Sequence, residues 1–462
     1  MSACKNFQTH QLLSRRSMLR IGGLGTLGLT MPKLLGASSV RRPRVRAKSV
    51  IFLFQWGGPS HVDMFDMKPD APSAYRSPHR PMRTSCDDIE ISSHLPRLAR
   101  LMDRFTVIRT MSHNMKNHNS AGYYALTGHA PPSDDQRLQD NLDRFPAYGS
   151  IVDHLAPNPA NYLPTFVSYP HVISDGSPTP GQHASFLGKR HDPLFIQRDP
   201  AAPDFELPEL SLPSGLHMDQ VTHRRGLQQI IDRQSRLLDH SVEARGLDEY
   251  YDRSIAMLQN PLVRQAFDLS REAPEMREAY GPTSYGQGCL LARRLVEAGA
   301  KFVTVYFDRT IGGRTAESGG WDTHGFDNTR MFPVIEQRHL PITEQTLPTL
   351  ILDLERRGML EDTLVLWMGE FGRTPRINDN ISRDHWPNCY SALLAGGGVK
   401  AGHVHGASDR TGSQPDTKPV RPEDLAATVY YLMGIDPNAV IHDTQKRPHV
   451  ISSGEPVLDV VA

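Results

Sequence analysis

Residues 57–63 form the first of four clusters that could carry chemistry in this chain of 462 residues, 21 of which are histidine. Within this cluster, His61 and Asp63 place an imidazole and a carboxylate two positions apart. Such a pair is a candidate for metal ligation, and it serves equally well to stabilise a loop. On its own, the cluster therefore favours neither interpretation.

A second cluster, residues 112–120, places histidines, hydroxyl groups and a lysine directly before a predicted helix. Free amide groups at a helix N-terminus favour anions such as phosphate or sulfate, so Lys116 and Asn117 are candidate substrate-binding residues. A hydrogen-bonded loop with an N-cap at Asn117 or Asn119 is an equally good interpretation. The cluster therefore indicates either anion binding or a helix cap.

Two further clusters combine carboxylates with imidazoles. Asp322 and His324 belong to residues 319–324, and Glu370 follows a predicted strand that ends at residue 368. Asp384 and His385 come in the next loop. Oxygen and imidazole ligands suit zinc, manganese, iron or a calcium-like ion, and the lack of clustered cysteines argues against a structural zinc site. These residues and the pair in the first cluster are candidate metal ligands.

Two arginines near the fourth cluster, Arg373 and Arg383, are candidates for bidentate binding of an oxyanion. A metal ion held beside them could polarise an ester or generate hydroxide for its hydrolysis. The alternative for the same residues is a polar rim that is held together by salt bridges.

The elements around these clusters explain how they could meet. Apolar runs predict buried strands that alternate with helices, which indicates an α/β fold with a mostly parallel sheet flanked by helices. Ligands in such sheets bind beyond the carboxyl ends of the strands. The predicted strands are residues 49–55, 105–108, 165–168, 301–307, 363–368 and 390–394, and the predicted helices are residues 93–104, 117–126, 147–155, 218–238, 242–258, 286–298, 340–357 and 422–433.

Residues 48–462 are predicted to form a single domain with a loop-rich and helical insertion over about 170–285. The first part of the insertion is rich in Pro, Gly, Asp and His and could cover the site as a lid or a wall. The whole chain has 38% hydrophobic and 22% charged residues, which excludes membrane-embedded, collagen-like and disordered classes. It contains no basic stripe with aromatic residues, which disfavours nucleic-acid binding.

Residues 1–47 are predicted to be an export leader, although a disordered basic tail is the alternative. The whole chain has 51 basic and 51 acidic residues, yet no acidic residue precedes Asp63. Arg15 and Arg16 precede an apolar run that is too short for a permanent membrane span, a pattern typical of twin-arginine signals. Cleavage is expected after Ala37 or Ala47. We therefore expect a periplasmic or extracellular protein that contacts the twin-arginine translocase during export.

These motifs, in this order, resemble the family known as domain of unknown function 1501, which is common among twin-arginine-exported bacterial proteins. The resemblance rests on residues 49–66, 91–128, 288–305, 320–324, 363–374, 383–398 and 421–434. That family in turn resembles the alkaline phosphatase and sulfatase superfamily. The resemblance implies a parallel sheet flanked by helices, with metal ions at the carboxyl ends of the strands.

The superfamily pattern also implies positions for the reacting groups. Thr127 and Gly128 match the pair that closes the helix after the superfamily's nucleophile. Counting back nine positions places His118 where the catalytic Cys or Thr would stand, with Ser120 close by. The resemblance therefore implies that His118 or Ser120 acts as acid, base or nucleophile and that Arg373 binds the anion. The chain has no Cys-x-Pro-Ser-Arg motif, which disfavours sulfatase chemistry through a formylglycine.

The metal ligands that the resemblance implies match unevenly. Asp322 and His324 resemble an Asp and His ligand pair, although their spacing is tighter than in the superfamily. Glu370 stands in the place of the Asp of an Asp-His-Gly ligand motif, and His385 resembles the last histidine ligand. The paired acids expected after the first strand are missing, and the nearest substitutes are His61 and Asp63.

Two functional hypotheses follow from the sequence. The first is an exported metal-dependent hydrolase of phosphate or sulfate esters, with zinc, calcium or manganese as its cofactor and a small molecule or glycan ester as its substrate. The second is an exported protein that retains the fold without catalysis and binds an anionic glycan. Metal content and activity toward aryl phosphates and sulfates would separate the two hypotheses.

Overall fold

The structure, a computed structural model, describes residues 43–158, 163–203, 205, 257, 260–307, 320–325 and 331–462. All of these belong to one unit, Pro43–Ala462. The predicted leader as far as residue 42, the predicted helix over 218–238 and nearly all of the predicted helix over 242–258 lie outside the described residues. In the part that is described, no helix combines the length and the apolar character needed to cross a membrane.

The central element is an eight-stranded sheet. Its strands are β1 (Ser49–Phe54), β2 (Phe105–Met111), β3 (Phe166–Tyr169), β4 (Leu194–Phe195), β5 (Phe302–Tyr306), β6 (Thr363–Met368), β7 (Tyr390–Ala395) and β8 (His403–His405). Their spatial order is β8-β2-β7-β6-β1-β5-β3-β4. Only β7 runs antiparallel to its neighbours, which confirms the prediction of a mostly parallel sheet.

The central strand β1 is buried along its whole length because both faces of the sheet are covered. Side chains along a strand point alternately to opposite faces. Ile51 and Leu53 therefore enter one hydrophobic core. Val50, Phe52 and Phe54 enter the other core. This two-sided burial explains why β1 appears in the sequence as an uninterrupted apolar run.

Helices cover both faces of the sheet. The described helices are α1 (His61–Met64), α2 (Pro96–Ala99), α3 (His118–Thr127), α4 (Tyr148–Leu155), α5 (Pro261–Phe267), α6 (Pro274–Tyr280), α7 (Ser284–Glu297), α8 (Met331–Val334), α9 (Leu340–Arg356) and α10 (Pro422–Leu432). The buried sides of α7 and α9 pack in the same core as Ile51, and those of α4 and α10 pack in the core of Phe52. A π-helical segment, Ile335–His339, joins α8 to α9.

The structure differs from the predicted elements in several places. The single helix predicted over 93–104 is α2 followed by a short 3-10 helix, Met102–Arg104. The break falls at Leu101, whose φ of −115° is outside the helical range. The predicted strand at 390–394 is present but antiparallel. The strands β4 and β8 and the helices α1, α5, α6 and α8 were not predicted. Strand β4 brings part of the predicted insertion into the central sheet.

Candidate metal centre

Several loops meet beyond the carboxyl ends of β1, β2 and β6. Helix α3 begins at His118 in the loop after β2, and Glu370 lies two residues beyond the end of β6. A two-stranded hairpin, formed by Gly372–Arg373 and His385–Trp386, continues from Glu370. Residues 320–325 are fixed to the end of β1, where the Trp321 amide donates to the Trp56 carbonyl at 3.0 Å. Parallel strands thus bring residues from distant parts of the chain to one edge.

Three imidazoles converge on the carboxylate of Asp322. His324 Nε2 lies 2.6 Å and His385 Nε2 lies 3.0 Å from Asp322 Oδ1. His118 Nε2 lies 3.4 Å from Asp322 Oδ2. One donor atom from each of these four residues lies within 4.8 Å of the others, as required of ligands that share one metal ion. We refer to these four candidate ligands as the metal centre.

The far side of each ring in the metal centre faces an oxygen atom. His118 Nδ1 lies 2.8 Å from Glu370 Oε1, and His385 Nδ1 lies 2.9 Å from the Lys116 carbonyl. His324 Nδ1 lies 3.7 Å from Asp384 Oδ1. Metal-binding histidines usually donate the opposite ring N–H to such an oxygen, which fixes the ring and frees Nε2 for the metal.

The electrostatics of the metal centre are dominated by His118. Burial alone would lower its pKa, but the carboxylates of Asp322 and Glu370 outweigh burial and raise the pKa to about 9. Burial would raise the pKa of Asp322, yet the His118 cation holds it well below its usual range. Burial raises the pKa of Glu370, and His118 offsets only part of that effect. A positive charge is therefore strongly favoured between the two carboxylates.

The donor set fits a transition-metal ion. Burial and the nearby His118 charge lower the pKa of His385, so its ring is neutral. Its Nδ1–H donates to Lys116, which leaves the Nε2 lone pair facing an oxygen of Asp322. Among the described residues, the buried His118 Nε2 has no hydrogen-bond partner. Three imidazoles and one carboxylate suit zinc or manganese better than calcium, which prefers oxygen ligands alone.

The structure places His61 and Asp63 apart from the metal centre. Asp63 binds Arg383 through both carboxylate oxygens, at 2.8 and 3.1 Å, and both side chains are fully buried. His61 Nε2 lies 2.8 Å from the Gly412 carbonyl, and burial lowers its pKa. The pair therefore stabilises the loop after β1, which was the alternative for this cluster.

Both candidate anion-binding arginines are buried and bind protein oxygens. The Arg373 guanidinium donates to the carbonyls of Gly57, Gly58 and Trp321, and to Asp322 Oδ1 at 2.9 Å. Arg383 pairs with a buried carboxylate, as described above. Arg373 thus orients the central carboxylate of the metal centre, and neither side chain is exposed to a substrate.

The loop before α3 also differs from its expected role. The amides of Lys116 and Asn117 each donate to the Asp134 carboxylate at 3.0 Å, so a protein carboxylate takes the place expected for a bound anion. The Ser120 hydroxyl donates to the Asp135 carbonyl at 2.9 Å and accepts from its amide at 2.6 Å. Ser120 therefore holds the 133–135 segment, while the Lys116 side chain remains exposed.

Sequence reasoning did not identify the backbone groups that support the metal centre. The Gly57 amide donates to Glu370 Oε1 at 2.8 Å, and the Lys116 carbonyl orients His385. Gly57 has a φ of +105°, and a Cβ added there would lie 2.3 Å from the Asp322 amide. The consecutive glycines after β1 were the only signal of this close approach.

Several solved structures are similar to this chain. They include the lipoteichoic acid synthase LtaP from Listeria monocytogenes, at 10% identity and a TM-score of 0.37, over 86% of this chain and 75% of that chain. The PsFucS1 sulfatase from Pseudoalteromonas sp. is 12% identical, with a TM-score of 0.37 over 89% and 72% of the two chains. The phosphonate monoester hydrolase SpPMH from Silicibacter pomeroyi is 13% identical, with a TM-score of 0.34 over 88% and 75%.

At the level of sequence, a comparison with curated proteins finds no match. A family model described as a protein of unknown function, DUF1501, matches residues 47–461. This match extends from the residues before β1 to the end of the chain and confirms the resemblance inferred from the motifs. The chain therefore belongs to the DUF1501 family.

Proposed function

We propose that this protein is a metal-dependent hydrolase of phosphate or sulfate esters. The observation that carries the proposal is the convergence of three imidazole Nε2 atoms on the Asp322 carboxylate, with the opposite side of each ring facing an oxygen. We propose zinc or manganese as the resident ion, held by His118, Asp322, His324 and His385. A metal in this place supplies a Lewis acid for the ester oxygen.

In the proposed function, side chains and carbonyl groups of the chain orient the metal ligands and bind the substrate. Glu370 holds the proton on His118 Nδ1, and the Lys116 carbonyl does the same for His385. The Lys116 side chain is exposed and the carbonyl of the same residue binds His385, so we propose that its ammonium binds the anionic ester. Because Ser120 is bound to the 133–135 segment, we propose that water attacks the ester rather than a serine hydroxyl. The negative carboxylates would otherwise repel an anionic substrate, so a bound cation is required.

Export is part of the proposal. The leader with Arg15 and Arg16 supports transfer by the twin-arginine translocase to the periplasm or the exterior. A small molecule or a glycan bearing a phosphate or sulfate group is the proposed substrate.

A second function is favoured by the buried arginines. Arg373 and Arg383 bind protein oxygens, and the Ser120 hydroxyl donates to the Asp135 carbonyl. Arg373 and Ser120, to which the resemblance assigns roles in catalysis, therefore already have partners within the protein. This supports a protein that binds an anionic glycan at the metal without cleaving it. Such a protein would contain metal and bind the ester, yet would release no product.

The proposal is tested with His324→Ala, which removes one metal ligand near the surface. We expect the purified wild-type protein to contain tightly bound metal and to hydrolyse aryl phosphates or aryl sulfates. A direct ligand contributes at least as much to metal affinity as the groups that orient the ligands. The metal affinity of the variant should therefore fall by about 100-fold or more, and its hydrolytic activity should fall with the bound metal.

His442→Ala is the matched control, because His442 is exposed and lies on a strand outside the metal centre. It should retain the metal and the activity of the wild type. Wild-type protein that holds metal but cleaves no ester would support the binding function instead. Equal metal content in the wild type and His324→Ala would reject both functions.

A further inference from the structure

A second group of possible metal ligands lies outside the metal centre. His79, His94 and Glu336 each offer one donor atom, and the three atoms lie within 4.8 Å of one another. His79 is buried, Glu336 is partly exposed and His94 is exposed. We refer to these three residues as the outer histidine group. The proposed function does not use it.

The hydrogen bonds of His79 define which ring nitrogen is free. His79 Nδ1 lies 3.2 Å from the carbonyl oxygen of Asp63. A carbonyl can only accept, so Nδ1 carries the proton. In the neutral ring, Nε2 then presents a lone pair, and it lies 3.1 Å from Glu336 Oε1. Two acceptors at this distance repel each other unless a proton or a metal ion lies between them.

The third member of the group completes a site that is open on one side. The centroid of the His79 ring lies 4.7 Å from that of His94 and 6.0 Å from that of Phe332. Glu336 lies in the π-helical segment before α9. Such segments interrupt regular α-helices and are frequent at functional sites. Two imidazoles and a carboxylate, of which His94 and Glu336 reach the surface, match the ligand number and type of open zinc sites.

A third cluster shows why charge favours the outer histidine group. His403 and His405 also face a carboxylate, that of Asp459. There, Lys418 Nζ lies 2.7 Å and Lys400 Nζ lies 3.6 Å from the carboxylate, so two cations already neutralise it. Among the described residues, no lysine or arginine pairs with Glu336, whose neighbour at this distance is His79. A metal ion would therefore meet an unneutralised carboxylate at Glu336, whereas the Asp459 carboxylate is already paired with two lysines.

We propose that His79, His94 and Glu336 bind a second divalent transition-metal ion of the zinc class. The ion would fasten the segment containing His79 and His94 to the π-helical segment before α9. The site extends inward, since His79 Nδ1 donates to the backbone of Asp63, whose carboxylate binds Arg383. The predicted effect of this ion is therefore on stability, and it is separate from hydrolysis.

Metal content at a fixed free zinc concentration tests the proposal. The protein purified after export is stripped of metal with a chelator and equilibrated with zinc. The number of zinc ions bound per chain is then measured. The wild type should hold one more equivalent than His94→Ala and Glu336→Gln. The His442→Ala control should match the wild type. His324→Ala should keep the outer equivalent while losing that of the metal centre, so failures of the two proposals are distinguishable.

Thermal unfolding provides the second measurement. Zinc should raise the Tm of the wild type and of His324→Ala by more than it raises the Tm of His94→Ala, because a ligand that binds only the folded state stabilises it. Because His94 is exposed, its replacement leaves the core intact. Zinc content and Tm shifts in His94→Ala that equal those of the wild type would overturn the proposal.

Discussion

At His118, one ring touches both carboxylates that matter for the metal centre. Nε2 faces Asp322, and Nδ1 is bound to Glu370. Glu370 is fully buried, so its negative charge acts on His118 with little screening by water. In the proposed function, Glu370 therefore contributes without reaching the metal, because it sets the orientation and the basicity of the His118 ligand.

Replacing Glu370 by Gln tests that role. The change keeps the size of the side chain and removes its charge, so the bond to His118 Nδ1 is weakened while the packing is preserved. We expect the affinity of the metal centre to fall by about 10- to 100-fold. A competition titration with a chelator measures the change.

The control for this substitution is Glu361→Gln, which removes the same charge from an exposed position. Its metal affinity should equal that of the wild type. If Glu370→Gln also binds metal with unchanged affinity, the hydrogen bond to His118 does not support a metal ligand.

At the scale of elements, the loop after β1 brings two segments together. Gly57 donates its amide to Glu370, and its Cα faces the backbone of Asp322. The positive φ and the close approach both exclude a side chain. The metal centre thus depends on the backbone contacts of Gly57 with Glu370 and Asp322 as well as on its candidate ligands.

Gly57→Ala should therefore damage the metal centre. The added Cβ would be forced against the Asp322 amide, in a backbone conformation that costs about 1–2 kcal/mol for residues other than glycine. We expect weaker metal binding and a loss of stability greater than that amount, measured by chelator competition and by urea unfolding.

Gly176→Ala is the matched control. Gly176 also has a positive φ, +68°, but nothing lies within 4 Å of the position of an added Cβ. It should lose stability only through its backbone conformation and should bind metal normally. Equal effects of the two substitutions would show that contact with Asp322 is unimportant.

The elements that were predictable are those with one strong local signal. The apolar runs of β1 and β6 are buried on both faces, and their predicted bounds agree with the structure to within one residue. The strand β8 could not be predicted, because a three-residue edge strand is too short to establish a periodic pattern. The direction of β7 depends on tertiary packing, which no local pattern encodes.

Candidate site residues were recognisable by type and by their place after strands, but their partners were not. Asp63 and Asp322 both follow an apolar strand or a glycine-rich turn. The structure gives Asp63 a buried arginine and Asp322 three imidazoles. Asp63 meets Arg383, which is 320 residues away in the chain, and Asp322 meets His118 from another distant segment. Tertiary packing, which no local pattern encodes, decides both contacts. Glu336 was missed because it lies within a helix.

At the scale of the whole molecule, the partly buried His129 and the buried His339 link stability to pH. Burial lowers the pKa of His129 to about 4 and that of His339 to about 3. Both rings are therefore neutral in the folded state at pH 5–7, whereas in the unfolded state they take up protons below pH 6.5. The unfolded state binds more protons in that range, so the free energy of unfolding falls as the pH decreases.

Between pH 6 and pH 4, we expect each of these two histidines to lower the free energy of unfolding by up to about 1.4 kcal/mol for each unit by which the pH decreases. Urea unfolding at several pH values measures the slope. His339→Gln should show a smaller slope than the wild type because it lacks one of the titrating groups. Parallel slopes for the two proteins would contradict a buried neutral His339.

The order of strands in the sheet has a consequence for synthesis. Ser49 in β1 and Thr363 in β6 are neighbours in the sheet, yet they are 314 residues apart in the chain. At a ribosomal rate of about 5–20 residues per second, the first strand waits roughly 15–60 s for its partner. During that time the apolar strand β1 lacks the β6 neighbour that it has in the sheet, and an unpaired apolar strand is prone to aggregation. The nascent chain is therefore a natural client for a holding chaperone, and no prefix ending before β6 can complete the core.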